Sequence, residues 1–438
     1  MYTNKVKKII FFRIPLSICN FRCHYCYLAQ RDEHYQGVQP VMKYSPEQVA
    51  LACSPKRLGG LAYFNFCADG ETMLLKDLDL YVKELVKQGH FVEIITNMTI
   101  TNMVDKFMEW PREMLEHVEF KCSFHYLELK KKKLLDVFAK NVNQLWGKGA
   151  SINIEVTPSD ELIPYIEKLK NFSYSNFGAL PHITIARNDS TKNIDYLTNL
   201  SDKEYSKTWS QFDSSFWKFK RSIFGKKQDK FCYAGAWSAY IDLSTGMANQ
   251  CYCGKSLGNV FENPERSFPE KPVGCCSIPH CYNGHAFLTW GLIPDLDTPT
   301  YAEVRNRTTQ NGEWLNATLY LFSRFYIIAR YVYKIKYNYY VKKVLYYAII
   351  SCFTFIVSYL VSENIKEGEI IWFIIKTILV VLLALILTSL FLSFSREFEF
   401  LKNKLLPANI RKFVNKYTIG IGSVLVMGIS ISLSILCI

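Results

Sequence analysis

The chain has 438 residues, 49% of them hydrophobic and 15% aromatic, which is more apolar material than one core of usual size accommodates. Its formal charge of +13 admits nucleic acid, acidic substrates or an anionic membrane surface as partners, so the placement of the basic residues decides among them. Fourteen cysteines would suit a disulfide framework in a secreted protein, but the opening MYTNKVKKIIFFRIP lacks the apolar run and small-residue cleavage site of a signal peptide; a reducing compartment is expected, where clustered cysteines bind metal or do redox chemistry.

From residue 8 to about 187, short runs rich in β-branched and aromatic residues alternate with longer amphipathic stretches, the pattern of repeated strand–helix units. Six strands are predicted, at 8–15, 61–66, 91–96, 118–123, 152–156 and 183–186, with helices between them. Ser45-Pro46-Glu47-Gln48 carries the start signal of the first helix: a capping serine, proline at the first helical position and a glutamine that completes a capping box. Gly89 is its counterpart as a helix stop. The expected fold is therefore α/β, an open (β/α)6 partial TIM barrel over residues 1–189, whose function gathers at the C-terminal strand ends.

Cys19, Cys23 and Cys26 stand in the loop directly after the first strand, spaced C-x3-C-x2-C. Three thiolates so spaced can wrap one corner of an iron–sulfur cubane and leave the fourth iron without a protein ligand. Zinc would need a fourth ligand, and His24, lying between two of the cysteines, is badly placed to supply it. After the second strand comes Phe66-Cys67-Ala68-Asp69-Gly70-Glu71-Thr72, where a glycine allows close backbone approach and a carboxylate complements an ammonium group. Thr96-Asn97, Ser123 with His125, and Asn153 with Glu155 occupy later strand ends. Cys53, Cys67, Cys122, Cys352 and Cys437 are scattered and read as ordinary buried residues.

Residues 190–230 are polar and charged with interspersed aromatics, and read as a helical connector. Residues 231–310 turn to cysteine, glycine, asparagine and aromatics, as in a small irregular domain held by metal, with cysteines at 232, 251, 253, 275, 276 and 281. Residues 311–343 form a basic amphipathic juxtamembrane segment with no acidic residue between 314 and 343: Arg324, Arg330, Lys334, Lys336, Lys342 and Lys343 carry its charge. The runs 344–361, 370–394 and 417–438 each have about the length needed to cross a bilayer, giving an all-α transmembrane C-terminal region. The connection 362–369 is mainly acidic and 395–416 basic, so the catalytic domain is expected on the cytoplasmic side and the C-terminus outside. The alternative for each run is a core helix of a soluble domain.

These motifs resemble the radical S-adenosylmethionine superfamily over about residues 8–290. The resemblance implies that Cys19, Cys23 and Cys26 bind a [4Fe-4S] cluster whose open iron holds the methionine moiety of S-adenosylmethionine, that Tyr25 lies near the adenine, that Gly70 and Glu71 belong to the element contacting the methionine amino group, and that Ser123 touches the ribose or carboxylate. Asp69 and Thr72 depart from the Gly-Gly-Glu-Pro usual at that element. Cys232, thirteen residues, Gly246, four residues and Cys251 resemble the opening of the SPASM and Twitch auxiliary-cluster domains, and Gly258-Asn259-Val260 resembles the turn after their short hairpin. That implies one auxiliary [4Fe-4S] cluster, with Cys232, Cys251, Cys276 and Cys281 as ligands; Cys253 or Cys275 can stand in for one of them, and four thiolates also suit zinc.

A radical enzyme acting on a peptide, protein or lipid-linked substrate at the membrane, supplied with electrons by a flavodoxin or ferredoxin, follows from this reading. The alternative class is a membrane-bound iron–sulfur electron-transfer or scaffold protein that does not cleave the cofactor; such a protein needs neither an open iron nor an ammonium-binding loop. Nucleic acid is not expected, because the basic residues flank the hydrophobic runs, where anionic lipid headgroups account for them.

Overall fold

The computed structural model describes residues 6–26, 28–31, 37–190, 195–282 and 284–319. The three hydrophobic runs and the basic residues beyond 319 lie outside the described residues. No helix among the described residues is long and apolar enough to cross a membrane.

The protein is an α/β fold built on a mostly parallel nine-stranded sheet. Six strands, β1 (Val6–Ile14), β2 (Leu61–Ala68), β3 (Phe91–Thr96), β4 (Val118–Ser123), β5 (Ser151–Val156) and β6 (His182–Ile183), pair in sequence order and all in parallel. β3 and β4 have the predicted bounds, while β6 is two residues long and shares only Ile183 with its expected range. The first helix, Pro46–Ala52, starts as the sequence signals: Ser45 accepts from the Gln48 amide, and the Gln48 side chain accepts from the Ser45 amide. Gly89, with φ of 85°, ends the Leu78–Lys87 helix. A two-stranded ribbon, β7 (Arg187–Asn188) with β8 (Asp195–Tyr196), follows the sixth strand. The connector is helical, over Asp202–Ser210 and Ser215–Ile223.

The cysteine-rich region does not build a sheet of its own. Its strands β9 (Ser238–Asp242), β10 (Met247–Asn249) and β11 (Ser256–Asn259) extend the barrel sheet, β9 lying parallel to β1 and the other two running antiparallel. The physical reason is the free edge of β1, whose unpaired amides and carbonyls inside an apolar layer need a partner. Gly258 and Asn259 accordingly end a strand, and the Asn259 side chain holds the neighbouring turns by donating to Thr245 O and accepting from the Phe261 amide, each at 2.9 Å. The last small strands are β12 (Thr308–Thr309) and β13 (Gly312–Glu313).

Alternation along β1 shows how the sheet divides two cores. Ile10, Phe12 and Ile14 pack against the surrounding helices, while Ile9 and Phe11 face the interior with Tyr63, Phe287 and Trp290. Residues 287–305 plug that interior: Trp290 stacks on Tyr301 at 5.0 Å, and both meet Tyr63. Trp314, expected to begin the juxtamembrane segment, is instead fully buried in the outer core, where its indole donates to Phe177 O. Leu315 and Leu319 are buried as well, so residues 312–319 belong to the folded unit, their apolar side chains covering the bottom of the sheet.

Candidate functional site

The cysteine loop is held by contacts on three sides. Arg22 N donates to the Glu128 carboxylate at 3.0 Å, and the Arg22 side chain donates to the Cys19 and Phe21 carbonyls. The Asn20 side chain donates to Thr99 and accepts from the Asn97 side chain at 2.7 Å, tying the loop to the end of β3. The third contact is the 69–71 segment, whose backbone zips onto the loop: Asp69 N donates to Ile14 O and Glu71 N to Ile18 O. Gly70 is required by this approach, because a Cβ there would lie 2.1 Å from the Ile18 carbonyl oxygen. Asp69, the departure from the resembled pattern, has its own partner in Arg13, which donates to both carboxylate oxygens and also reaches Asp242 of β9.

Glu71 is buried and accepts three hydrogen bonds, from Thr96 Oγ1, the Asn97 amide and the Met73 amide. A carboxylate has about four acceptor positions, so one is left. Its burial raises its pKa, against the pull of these donors. The structure thus gives Thr96 and Asn97 a scaffolding part, fixing Glu71 and the cysteine loop together.

Cys23 is buried and Cys19 and Cys26 half-buried. Burial pushes the Cys19 thiol up to about 11, and that of Cys23 higher still, Cys19 and Cys26 adding to the latter shift. The Phe21 amide donates to Cys19 Sγ at 3.4 Å. The Tyr25 hydroxyl stands 2.7 Å from Nδ1 of His125, whose pKa burial lowers to about 4. His24 points away, pairing with Glu161 at 2.8 Å.

All seven of these expected residues, Cys19, Cys23, Tyr25, Cys26, Gly70, Glu71 and Ser123, line one cavity of about 650 Å³ at the C-terminal ends of the strands. The same cavity is lined further by Thr184, Arg187, Lys220 and His285, to which the sequence reading gave no part in the site, and by Cys253 and Cys281. The sequence signal for Lys220 was its place on the apolar face of the Ser215–Ile223 helix, four residues after Phe216 and three after Trp217, both buried. Of the weaker candidates, Glu155 lines the cavity and pairs with Lys121 at 3.3 Å and with Arg305, whereas Asn153 is fully buried.

In the second cysteine group, paired backbone bonds between Cys232 and Gly274 bring the 275–276 segment beside Cys232. Gln250 fixes the turn that follows β10, donating to Lys271 O and accepting from the Lys255 amide. Gly246, at φ of 77°, turns the β9–β10 hairpin. Burial raises the Cys232 thiol to about 11, with Cys251 and Cys276 contributing; burial also raises Cys251, against a hydrogen bond from the Cys253 amide and with Cys276 adding to the rise. Cys232, Cys251 and Cys276 are therefore close neighbours, Cys253 and Cys281 line the cavity, and Cys253 and Cys275 are exposed. Among the described residues, no three Cys, His, Asp or Glu side chains converge closely enough to hold a single metal ion.

The sequence matches no family model and no curated protein. Among solved structures it is similar to native anSMEcpe with bound AdoMet, at 14% identity and a TM-score of 0.42 over 77% of this chain and 99% of that chain. It is similar also to Streptococcus suis SuiB, at 13% identity and a TM-score of 0.39, over 59% of this chain and 64% of that one. SuiB bound to precursor peptide SuiA gives 14% identity and the same TM-score, over 60% and 64%. The chain thus spans about 64% of the length of SuiB.

Proposed function

We propose that this chain is a radical S-adenosylmethionine enzyme: it cleaves the cofactor reductively at a [4Fe-4S] cluster held by Cys19, Cys23 and Cys26 and acts on a substrate in the same cavity. The observation that carries this reading is the convergence of those three thiols, the Gly70–Glu71 segment and Ser123 on one 650 Å³ space at the strand ends. The donor set fits the cluster, since three thiols from one short loop face a cavity with room for a further ligand at the open iron. When bound and reduced, the cluster passes one electron to the sulfonium, so that the C5′–S bond breaks and the 5′-deoxyadenosyl radical takes a hydrogen atom from substrate. The protein's own residues hold and shield this chemistry. Arg22, Glu128 and Asn20 fix the loop that carries the thiols, Glu71 lines the cavity with one acceptor position left over, and Tyr25 with His125 closes one wall.

The second group supplies thiolates for an auxiliary [4Fe-4S] cluster, Cys232, Cys251 and Cys276 with either Cys253 or Cys281, both of which face the cavity. The hydrophobic runs 344–361, 370–394 and 417–438 anchor the enzyme in a bilayer with the barrel on the cytoplasmic side, near a peptide or lipid-linked substrate, and a flavodoxin or ferredoxin delivers the electron. Carbonate extraction of cell membranes, with protease access to a C-terminal tag from outside, tests the anchor and its orientation.

The chemistry is tested by anaerobic reconstitution of the full chain, counting of iron and reduction with dithionite in the presence of S-adenosylmethionine. Formation of 5′-deoxyadenosine, lost in the Cys19→Ala, Cys23→Ala, Cys26→Ala triple variant together with about half the iron, is the expected result. A filled first site that forms no 5′-deoxyadenosine overturns the proposal in favour of an electron carrier.

A further inference from the structure

Lys121, Arg187 and Lys220 all line the cavity, together with Thr184 and His285. Lys121 shares Glu155 with Arg305, and Arg187 pairs with Asp189 at 2.9 Å, so these cations have carboxylate partners. Lys220 differs. Its helix turns the residue inward with Phe216, and its Nζ donates to Thr184 Oγ1 at 2.5 Å. Burial, and then the nearby cations Lys121 and Arg187, lower its pKa well below the usual lysine range, and its Nζ lies 5.4 Å from the centre of the Phe216 ring.

An ammonium group taken out of water beside two like charges is unfavourable unless an anion joins it. Lys220 has three N–H donors, of which Thr184 takes one, and the Thr184 hydroxyl is left able to donate onward. His285, from the Gly284–Thr289 helix, lines the same cavity and adds an imidazole N–H. A positive wall enclosed by low-dielectric surroundings concentrates potential where a negatively charged group would sit.

We propose that Lys220, Thr184 and His285, backed by Lys121, form a subsite that binds an anionic group of the substrate, a carboxylate or a phosphate. This deepens the function proposed above: the anion would hold the substrate at these residues, with its reacting carbon toward the cofactor.

The test uses the full reconstituted chain and thermal unfolding, with inorganic phosphate, glutarate and the uncharged glutaramide as probes. Phosphate or glutarate is expected to raise Tm saturably, glutaramide is not, and the shift is expected to persist with S-adenosylmethionine at saturation. Phosphate alone acting would mark a phosphorylated substrate, and glutarate alone a carboxylate. Lys220→Met should weaken the anion effect by about tenfold or more while raising Tm in the absence of anion, because it removes the unpaired charge. Lys220→Arg should keep the effect, and so should Lys218→Met on the exposed face of the same helix. Equal shifts in wild type and Lys220→Met, no shift with either anion, or a shift abolished by S-adenosylmethionine, which would assign the wall to the cofactor's own carboxylate, each overturns the proposal. The readout involves no turnover, so anion binding without 5′-deoxyadenosine would sink the radical reading and leave the subsite standing.

Discussion

At Gly70 a single missing atom decides the site. The space a methyl would need is taken by the carbonyls of Ile18 and Leu16, at 2.1 and 2.9 Å, and backbone cannot swing aside as a side-chain tip can. Gly70→Ala should therefore cost about 2 kcal/mol or more and push the cysteine loop outward; a lower Tm and loss of first-site iron on reconstitution would check it. Deeper in the barrel, burial and the neighbouring Glu93 raise Glu119 to about 7, although Tyr63 and Tyr301 each donate to it at 2.8 Å. The folded chain holds this proton more tightly than the unfolded one, so the contribution is fully present below about pH 4.5 and is lost as pH rises through 7. On the order of 2–3 kcal/mol is involved, shared with Glu93. Glu119→Gln should flatten the fall in stability between pH 5 and 8 (roughly the span of the shift) in chemical-denaturation titrations.

Elements were legible where their boundaries are local. The Ser45 cap, the Gly89 stop and the strands at 91–96 and 118–123 follow from nearest-neighbour chemistry and stand where the sequence puts them. β9 was not legible: Ser238–Asp242 is five residues long, set among glycines and cysteines, and its partner is the free edge of a strand at the other end of the chain. Pairing across such a separation leaves no periodic trace in either segment. Trp314 was misassigned for a related reason, since an aromatic residue before a basic run reads equally as an interfacial anchor or as a core plug. Its burial and its bond to Phe177 O predict that Trp314→Ala costs about 3–5 kcal/mol, measurable as a large drop in the denaturation midpoint of the full chain. An interfacial tryptophan would give a small change.

For the molecule as a whole, Cys253 and Cys281 of the second cysteine group open onto the same cavity as the first group, although the chain separates them by some two hundred residues (roughly one domain's length). The seven expected residues lining that cavity were readable because spacing and position after a strand are sequence properties. Lys220, Thr184 and His285 were not, because what makes them a group is convergence from three different elements. If an auxiliary cluster is present, either Cys253→Ser or Cys281→Ser should lower iron by about four per chain, whereas Cys275→Ser, which does not line the cavity, should leave the count unchanged.

The placement of β1 between β2 and β9 also sets an order of events during synthesis. Lys8 reaches Ala236 O, 228 residues further along, so the barrel's first strand cannot acquire its second neighbour until the start of the cysteine-rich region has left the ribosome. At about 5–20 residues per second that leaves an interval of roughly 10–45 s in which the first three thiols hang from an unfinished sheet. Iron delivered by the cell's assembly machinery in that interval meets an open loop. Iron arriving later must pass through the mouth of a cavity already walled by the returning chain.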